Sequence, residues 1–411
     1  MLRTARRVTT TMSIWRQGLW RYRLTTAGVG LAALSVATAV QSPPLALSVA
    51  AATAGAVVST LEILANRRRA RQFRFHPRDG DDYRDIAEQV PGPTRVLENA
   101  HSTGVLPAAV NSRLRGQRIR CAVAPTNYLL GRDLRRWSFD FLARHARTAA
   151  MHNAAVLGLA NDLPSGSDDT VVTLRPAQYF DFFCSNLLAP FDVYEAGRDT
   201  LALHGRDLIL DHRGRLRRFA DSRLANVVGV STLAFTIDGR LLLVAQTRDN
   251  VGSPGLLAPS GSGSLEPQDA TVGSTAPSLQ EVIVGGALRE LREECHLEPN
   301  EIAESVVLGF GRWMSRGGTP EFCTVTLLKV TAEQVLRRSV RWTERPYVGE
   351  VLAVHVPPTG EWNADTPLAL LPADKRHSAS WPLAFSLSCL AECMTDETWP
   401  QRAAVAALVD Q

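Results

Sequence analysis

Residues 287–297, ALRELREECHL, set aliphatic side chains and carboxylates at the spacing of one helix. Glu290, Glu293 and Glu294 stand at i, i+3 and i+4, so a helix brings their side chains to one side. Val284, Ala287, Leu288, Leu291 and Cys295 follow the 3.6-residue period and form an apolar stripe. Like charges at this spacing repel by a few tenths of a kcal/mol, roughly, per pair. A divalent cation converts that repulsion into ligation, since hard Mg2+ takes oxygen ligands and accepts phosphates in the remaining positions.

The same stretch resembles the Nudix box, G-x5-E-x7-R-E-U-x-E-E-x-G-U, in which U is a bulky aliphatic residue. Glu281 takes the first glutamate, Arg289-Glu290-Leu291 the R-E-U, Glu293-Glu294 the glutamate pair and Leu297 the closing aliphatic. Thr275 stands in place of the first glycine and His296 in place of the last. The resemblance implies an α+β fold, a Nudix-like mixed β-sheet/α sandwich. It also implies hydrolysis of a diphosphate linkage in a nucleoside diphosphate derivative, with Mg2+ or Mn2+ as cofactor. Carried over residue by residue, it makes Glu281, Glu290, Glu293 and Glu294 the metal ligands and Arg289, Glu290 and Glu293 the catalytic set. A base comes from Glu293, Glu344 or Glu350 on this reading.

Ser278-Leu279-Gln280-Glu281 also reads as a capping box at a helix start. Arg289 and Glu293 equally suit a surface i, i+4 ion pair. Gly285-Gly286 is costly inside a helix, so either the helix starts after it or a neighbour packs closely there. The run 259–264, PSGSGS, reads as a loop at the mouth of a site or as a flexible linker, and it allows for an insertion ahead of the box.

Flanking segments support a sheet. Residues 230–246 are two apolar runs joined at Asp238-Gly239, a hairpin signal, and 255–258, 305–313, 323–330 and 351–356 have strand character. Residues 226–371 form the expected Nudix-like domain, and 372–411 a C-terminal helical segment holding Cys389 and Cys393 as core residues. Residues 72–224 are an unassigned α/β region. It has strands expected at 115–123 and 170–174, a helix at 134–157, an apolar aromatic run at 179–188 and a hairpin at 208–219. His101, His145 and His152 lack metal-ligand spacing.

No charged residue lies between Arg23 and Glu62, and Ser42-Pro43-Pro44 divides that run in two. Each half is near the lower limit of about 17 residues for a bilayer span, and Pro-Pro enforces a turn. Arginines flank both outer ends, which places both termini in the cytoplasm. The expectation is a basic segment at 1–23, a two-pass hairpin at 24–66 in the cell membrane, and cytoplasmic soluble domains. An organelle-targeting peptide and a buried helix pair are the alternatives. Of the 45 basic residues only Lys329 and Lys375 are lysine, so the arginine bias belongs to the whole chain. The net charge of +4 is mild and no segment interleaves basic and aromatic residues, so no nucleic acid partner is expected. The expected partners are a nucleotide-type small molecule and the lipid bilayer, with a homo-oligomer allowed. A second reading, of a different class, is a membrane effector that senses a nucleotide without hydrolysing it.

Overall fold

The computed structural model describes residues 73–78, 94–145, 153–166, 170–271, 277–339 and 347–410. The uncharged run at 24–61, together with Thr275, Glu344 and His152, lies outside the described residues. Among the described residues no helix is long and apolar enough to cross a membrane.

In chain order the elements begin with β1 (Phe73–Pro77), β2 (Thr94–Asn99), β3 (Ser102–Pro107), α1 (Ala108–Gly116), β4 (Cys121–Val123) and α2 (Arg132–His145). There follow β5 (Ala155–Leu159), β6 (Val172–Gln178), α3 (Tyr179–Phe183), β7 (Phe191–Glu195) and β8 (Thr200–Leu203). The next group is β9 (Gly229–Phe235), β10 (Leu241–Gln246), β11 (Leu257–Ala258), β12 (Gly261–Ser264) and α4 (Leu279–Cys295). The chain closes with β13 (Ile302–Trp313), β14 (Thr319–Leu328), α5 (Ala332–Leu336), β15 (Val348–Val354), α6 (Trp381–Thr395) and α7 (Arg402–Val409). The fold is α+β with several mixed sheets.

The largest sheet has nine strands in the order β11-β10-β9-β14-β13-β3-β2, with β12 paired to β9 and β15 to β10. β9 and β14 run parallel, from Glu321 opposite Gly229 to Leu327 opposite Phe235. Every residue of these two strands is buried, as expected of strands covered on both faces. Their side chains alternate between two cores. Leu233, Phe235, Cys323 and Val325 join the α6 side chains Leu383, Phe385, Leu387 and Leu390. Val230 and Phe322 point the other way, to Leu279, Val282, Ile283 and Ala287 of α4. The sheet is thus sandwiched between α4 and α6.

The segment before residue 225 is joined to this sheet. The β2–β3 hairpin extends it through Val105 and Gly104, which pair with Arg312 and Trp313. Two three-stranded sheets, β1-β7-β8 and β4-β6-β5, lie outside it. The Asp238-Gly239 turn forms as expected, with Gly239 at φ +70. Three expectations change. Residues 115 and 116 end α1, so the strand expected at 115–123 is only β4; α1 carries arginine at its C-terminal turn, which favours the helix dipole. The helix expected over 134–157 ends within the described residues at His145, and 155–159 is β5, because Val156, Leu157 and Leu159 are buried in strand alternation with β6. The hairpin expected at 208–219 is reduced to one bridge, Leu210 with Leu216, since Asp211 closes a tight turn through the Arg213 and Arg215 amides instead. Cys389 and Cys393 lie in the α6 core, and all six cysteines are free.

Candidate functional site

Helix α4 begins where the capping box predicts. Ser278 Oγ accepts from the Glu281 amide at 3.3 Å, and Glu281 accepts from the Ser278 amide at 2.6 Å. It ends at His296, which takes the left-handed conformation at φ 56 that the resemblance assigns to glycine. Gly285-Gly286 lies well inside the helix, and a Cβ at Gly286 would stand 2.4 Å from Leu265 Cδ2 and 3.0 Å from Asp269 Oδ2. Close approach of the 265–269 turn is therefore what the glycine permits.

The Gly/Ser run is a strand, not a linker. Residues 261–264 form β12 and pair with 229–232 of β9. Its two glycines share the face toward α4: a Cβ on Gly261 would meet Leu291 backbone at 2.5 Å, and one on Gly263 would meet Glu290 Oε1 at 2.1 Å. Without side chains on that face, β12 runs directly beneath the carboxylates. The Ser262 amide donates to Glu294 Oε2 at 3.0 Å, fixing the second glutamate of the pair.

Arg289 organises the rest. Its Nε and Nη2 donate to the two Asp269 oxygens, each at 3.0 Å, and Nη2 also donates to the Ser264 carbonyl at 2.8 Å. Nη1 donates to Glu290 Oε1 at 2.8 Å and to Glu293 Oε2 at 3.5 Å. Burial opposes the Arg289 charge, but the Asp269 hydrogen bonds and the charges of Glu290, Asp269 and Glu266 outweigh it and hold the guanidinium ionised. Glu290 responds the other way: desolvation exceeds the attraction of Arg289 and pushes its carboxyl up to about 7. Its side chain is surrounded by protein yet 14% exposed, the exposure facing a cavity.

That cavity has a volume of about 580 Å3. Arg289, Glu290, Glu293 and Glu294 line one side. Glu321 of β14 also lines it; burial pushes this carboxyl up to about 7, against a Ser231 hydroxyl bond of 2.8 Å and the Arg316 charge. A Cβ on Gly229 would overlap Glu321 Oε2 at 1.8 Å, so a second glycine makes room for a second buried carboxylate. Tyr179 and Phe182, from α3, close the cavity with Trp313 and Tyr347.

Glu290, Glu293, Glu294 and Arg289 are brought together as the sequence suggests. Glu281 is not. It sits in the first turn of α4, 55% exposed, where it caps the helix and pairs with Arg118 at 3.1 Å. The carboxylate that holds Arg289 is Asp269. Gly263-x5-Asp269 has the spacing of the start of the box, with nineteen residues before Arg289 in place of seven. On the resemblance, an insertion ahead of the helix hides this register; an acidic residue six positions after a Gly/Ser-run glycine is the sequence signal for it. Glu350 is exposed on β15 and does not line the cavity. Glu321 carried no sequence signal, because it lies within an otherwise apolar and hydroxyl-bearing strand. The donors here are carboxylate oxygens, which suit a hard cation such as Mg2+. Among the described residues, however, no group of three or more His, Cys, Asp or Glu side chains is gathered as a metal cluster, with Glu290 and Glu293 drawn toward Arg289.

No family model matches the chain, and no curated protein does. Solved structures that match include DR0079 from Deinococcus radiodurans, at 16% identity and a TM-score of 0.26, over 44% of this chain and 94% of that one. Another is RenU, a Nudix hydrolase from M. smegmatis, at 12% identity and a TM-score of 0.25, over 47% of this chain and 99% of that one. The functional reading rests on the side chains.

Proposed function

We propose that this chain is a Nudix-type hydrolase that cleaves a diphosphate linkage in a nucleoside diphosphate derivative, using a divalent cation. The observation that carries the reading is the placement of Glu290, Glu293 and Glu294 along one edge of a cavity of about 580 Å3, with Gly263 and Arg289 positioning Glu290. Such a volume is in the range of small-molecule sites, roughly 300–1,000 Å3. Glu290, Glu293 and Glu294 would hold Mg2+ or Mn2+; when bound, the cation neutralises phosphate oxygens and makes water nucleophilic. Arg289, anchored on Asp269, orients Glu290 and Glu293. Glu321, pushed up to about 7 by burial in the same cavity, would hold or accept a proton there.

We further propose that residues 24–66 attach the enzyme to the cell membrane as a two-pass hairpin with the catalytic part in the cytoplasm, on the strength of the uncharged run and its flanking arginines. The test of function is a screen of the purified protein against nucleoside diphosphate derivatives with and without Mg2+, recording turnover and thermal shift together. The hydrolase reading requires metal-dependent release of a phosphorylated product. Thermal stabilisation by a nucleotide that is never turned over would instead establish the sensing reading, which the present engagement of Glu290 and Glu293 by Arg289 favours.

A further inference from the structure

The cavity contains a second cationic side chain whose surroundings differ from those of Arg289. Arg316 follows β13, in the one-turn helix Met314–Arg316. Its guanidinium lies 4.6 Å from the Trp313 ring centroid and 5.3 Å from that of Phe182. It is half-buried and lines the cavity. Arg289 has Asp269, Glu290 and Glu293 as ion-pair partners, whereas among the described residues no carboxylate forms an ion pair with Arg316. Desolvation lowers its affinity for the proton, and Tyr179 and the more distant Glu321 only partly offset this.

A buried cation without an ionic partner is costly, and an incoming anion removes that cost. Aromatic rings against the faces of a guanidinium leave its edge, with the N–H donors, for hydrogen bonding; Tyr179 takes part of that edge, and the donors that remain are those open to a ligand. An edge presented to a cavity fits two oxygens of one phosphoryl group. The wall is shared: Tyr179 and Phe182 come from α3, Trp313 and Arg316 from the end of β13. Position relative to the carboxylates follows from the sheet order β12-β9-β14-β13. Glu290 stands over β12 and Arg316 in the connection between β13 and β14, two to three strand steps of about 4.8 Å away, so the two sites are on the order of 10–15 Å apart.

We propose that Arg316 binds a second phosphoryl group of the ligand, remote from the linkage that is cleaved. The ligand class is a nucleoside diphosphate derivative with an additional phosphate, and α3 of the N-terminal region helps to select it. The inference rests on the hydrolase reading for the diphosphate end alone; the anion site stands on the surroundings of Arg316.

The experiment uses the full chain and a matched pair of probes, ADP-ribose and ADP-ribose 2′-phosphate, with binding measured by calorimetry in metal-free buffer and turnover followed separately with Mg2+. The wild type is expected to bind the phosphorylated probe about tenfold more tightly or better. Arg316→Gln should bring the ratio near one while leaving affinity for ADP-ribose within about threefold. Arg316→Lys, which keeps the charge and loses the fork, should fall between. Equal wild-type affinities, or a preference that persists in Arg316→Gln, would overturn the proposal. Should Arg316→Gln fail to fold, the wild-type ratio and the lysine variant decide: full preference in the lysine variant contradicts forked recognition. The ratio is read whether or not either probe is hydrolysed. Hydrolysis of neither, with the ratio intact, counts against the hydrolase and leaves the Arg316 site standing.

Discussion

Glu290 is the residue whose chemistry depends most on its neighbours. Burial raises its carboxyl from 4.5 to about 7, although Arg289 Nη1 lies 2.8 Å away. A carboxyl raised in the native state binds a proton there that the unfolded chain has already released. Between the ordinary carboxylate range and about 7, stability therefore falls as pH rises. Glu321, also raised to about 7, acts in the same direction. Replacing Glu290 by Gln removes this titration while keeping size and helix propensity. In metal-free buffer the Tm of Glu290→Gln minus that of the wild type should be near zero at pH 5 and positive at pH 8. A difference that does not change with pH would show that Glu290 titrates normally. Metal ligation needs the ionised carboxylate, so Mg2+ should release protons on binding near pH 6, measurable by calorimetry in buffers of different ionisation enthalpy.

At the scale of elements, helix α4 was largely legible. The grouping of Glu290, Glu293 and Glu294 and the end at His296 follow from local chemistry in one contiguous segment, whereas the start was open between Ser278 and the residue after Gly286 until the 265–269 turn was seen to pack on Gly286. The carboxylate that holds Arg289 was not, because Asp269 lies twenty positions before it, outside the helix. Glu281 has the right spacing and an independent reason to be there, which is to cap α4. Glu321 was illegible because its function depends on strand neighbours, Gly229 and Ser231, about ninety positions away. Residues 155–157 were read as helix because a short apolar run has no period of its own until β6 pairs with it. A pair of substitutions separates the two carboxylates. Glu281→Ala should lower the Tm slightly by loss of the capping box and leave kcat within about threefold. Asp269→Asn should weaken the hold on Arg289 and lower kcat at least tenfold, on the scale of a lost positioning contact. A larger loss of turnover from Glu281→Ala than from Asp269→Asn would restore Glu281 to the site.

For the whole molecule, the site belongs to both halves of the chain: the carboxylates come from α4, and part of the opposite wall from α3. A sheet shared through β3 and β13 fixes the two halves together, so changes in the segment before residue 225 are expected to alter substrate choice. The proposed attachment at 24–66 is a separate matter of partition. Full-length protein should sediment with membranes and require detergent for release, whereas a chain lacking residues 1–71 should remain in the supernatant and keep its turnover; full-length protein found free of membranes contradicts the hairpin. The central claim, hydrolysis at the carboxylate edge of the cavity, is tested most directly at Glu294, which is 5% exposed and held by the Ser262 amide at 3.0 Å. Glu294→Gln preserves shape and the ability to accept that amide, and removes one anionic oxygen ligand for a hard cation. The measurement is kcat for the best diphosphate substrate in saturating Mg2+, beside a thermal melt of the same preparation. The account predicts an unchanged or slightly raised Tm with kcat reduced by about two to three orders of magnitude, the scale of lost transition-state charge stabilisation. Wild-type kcat in the folded variant would contradict it.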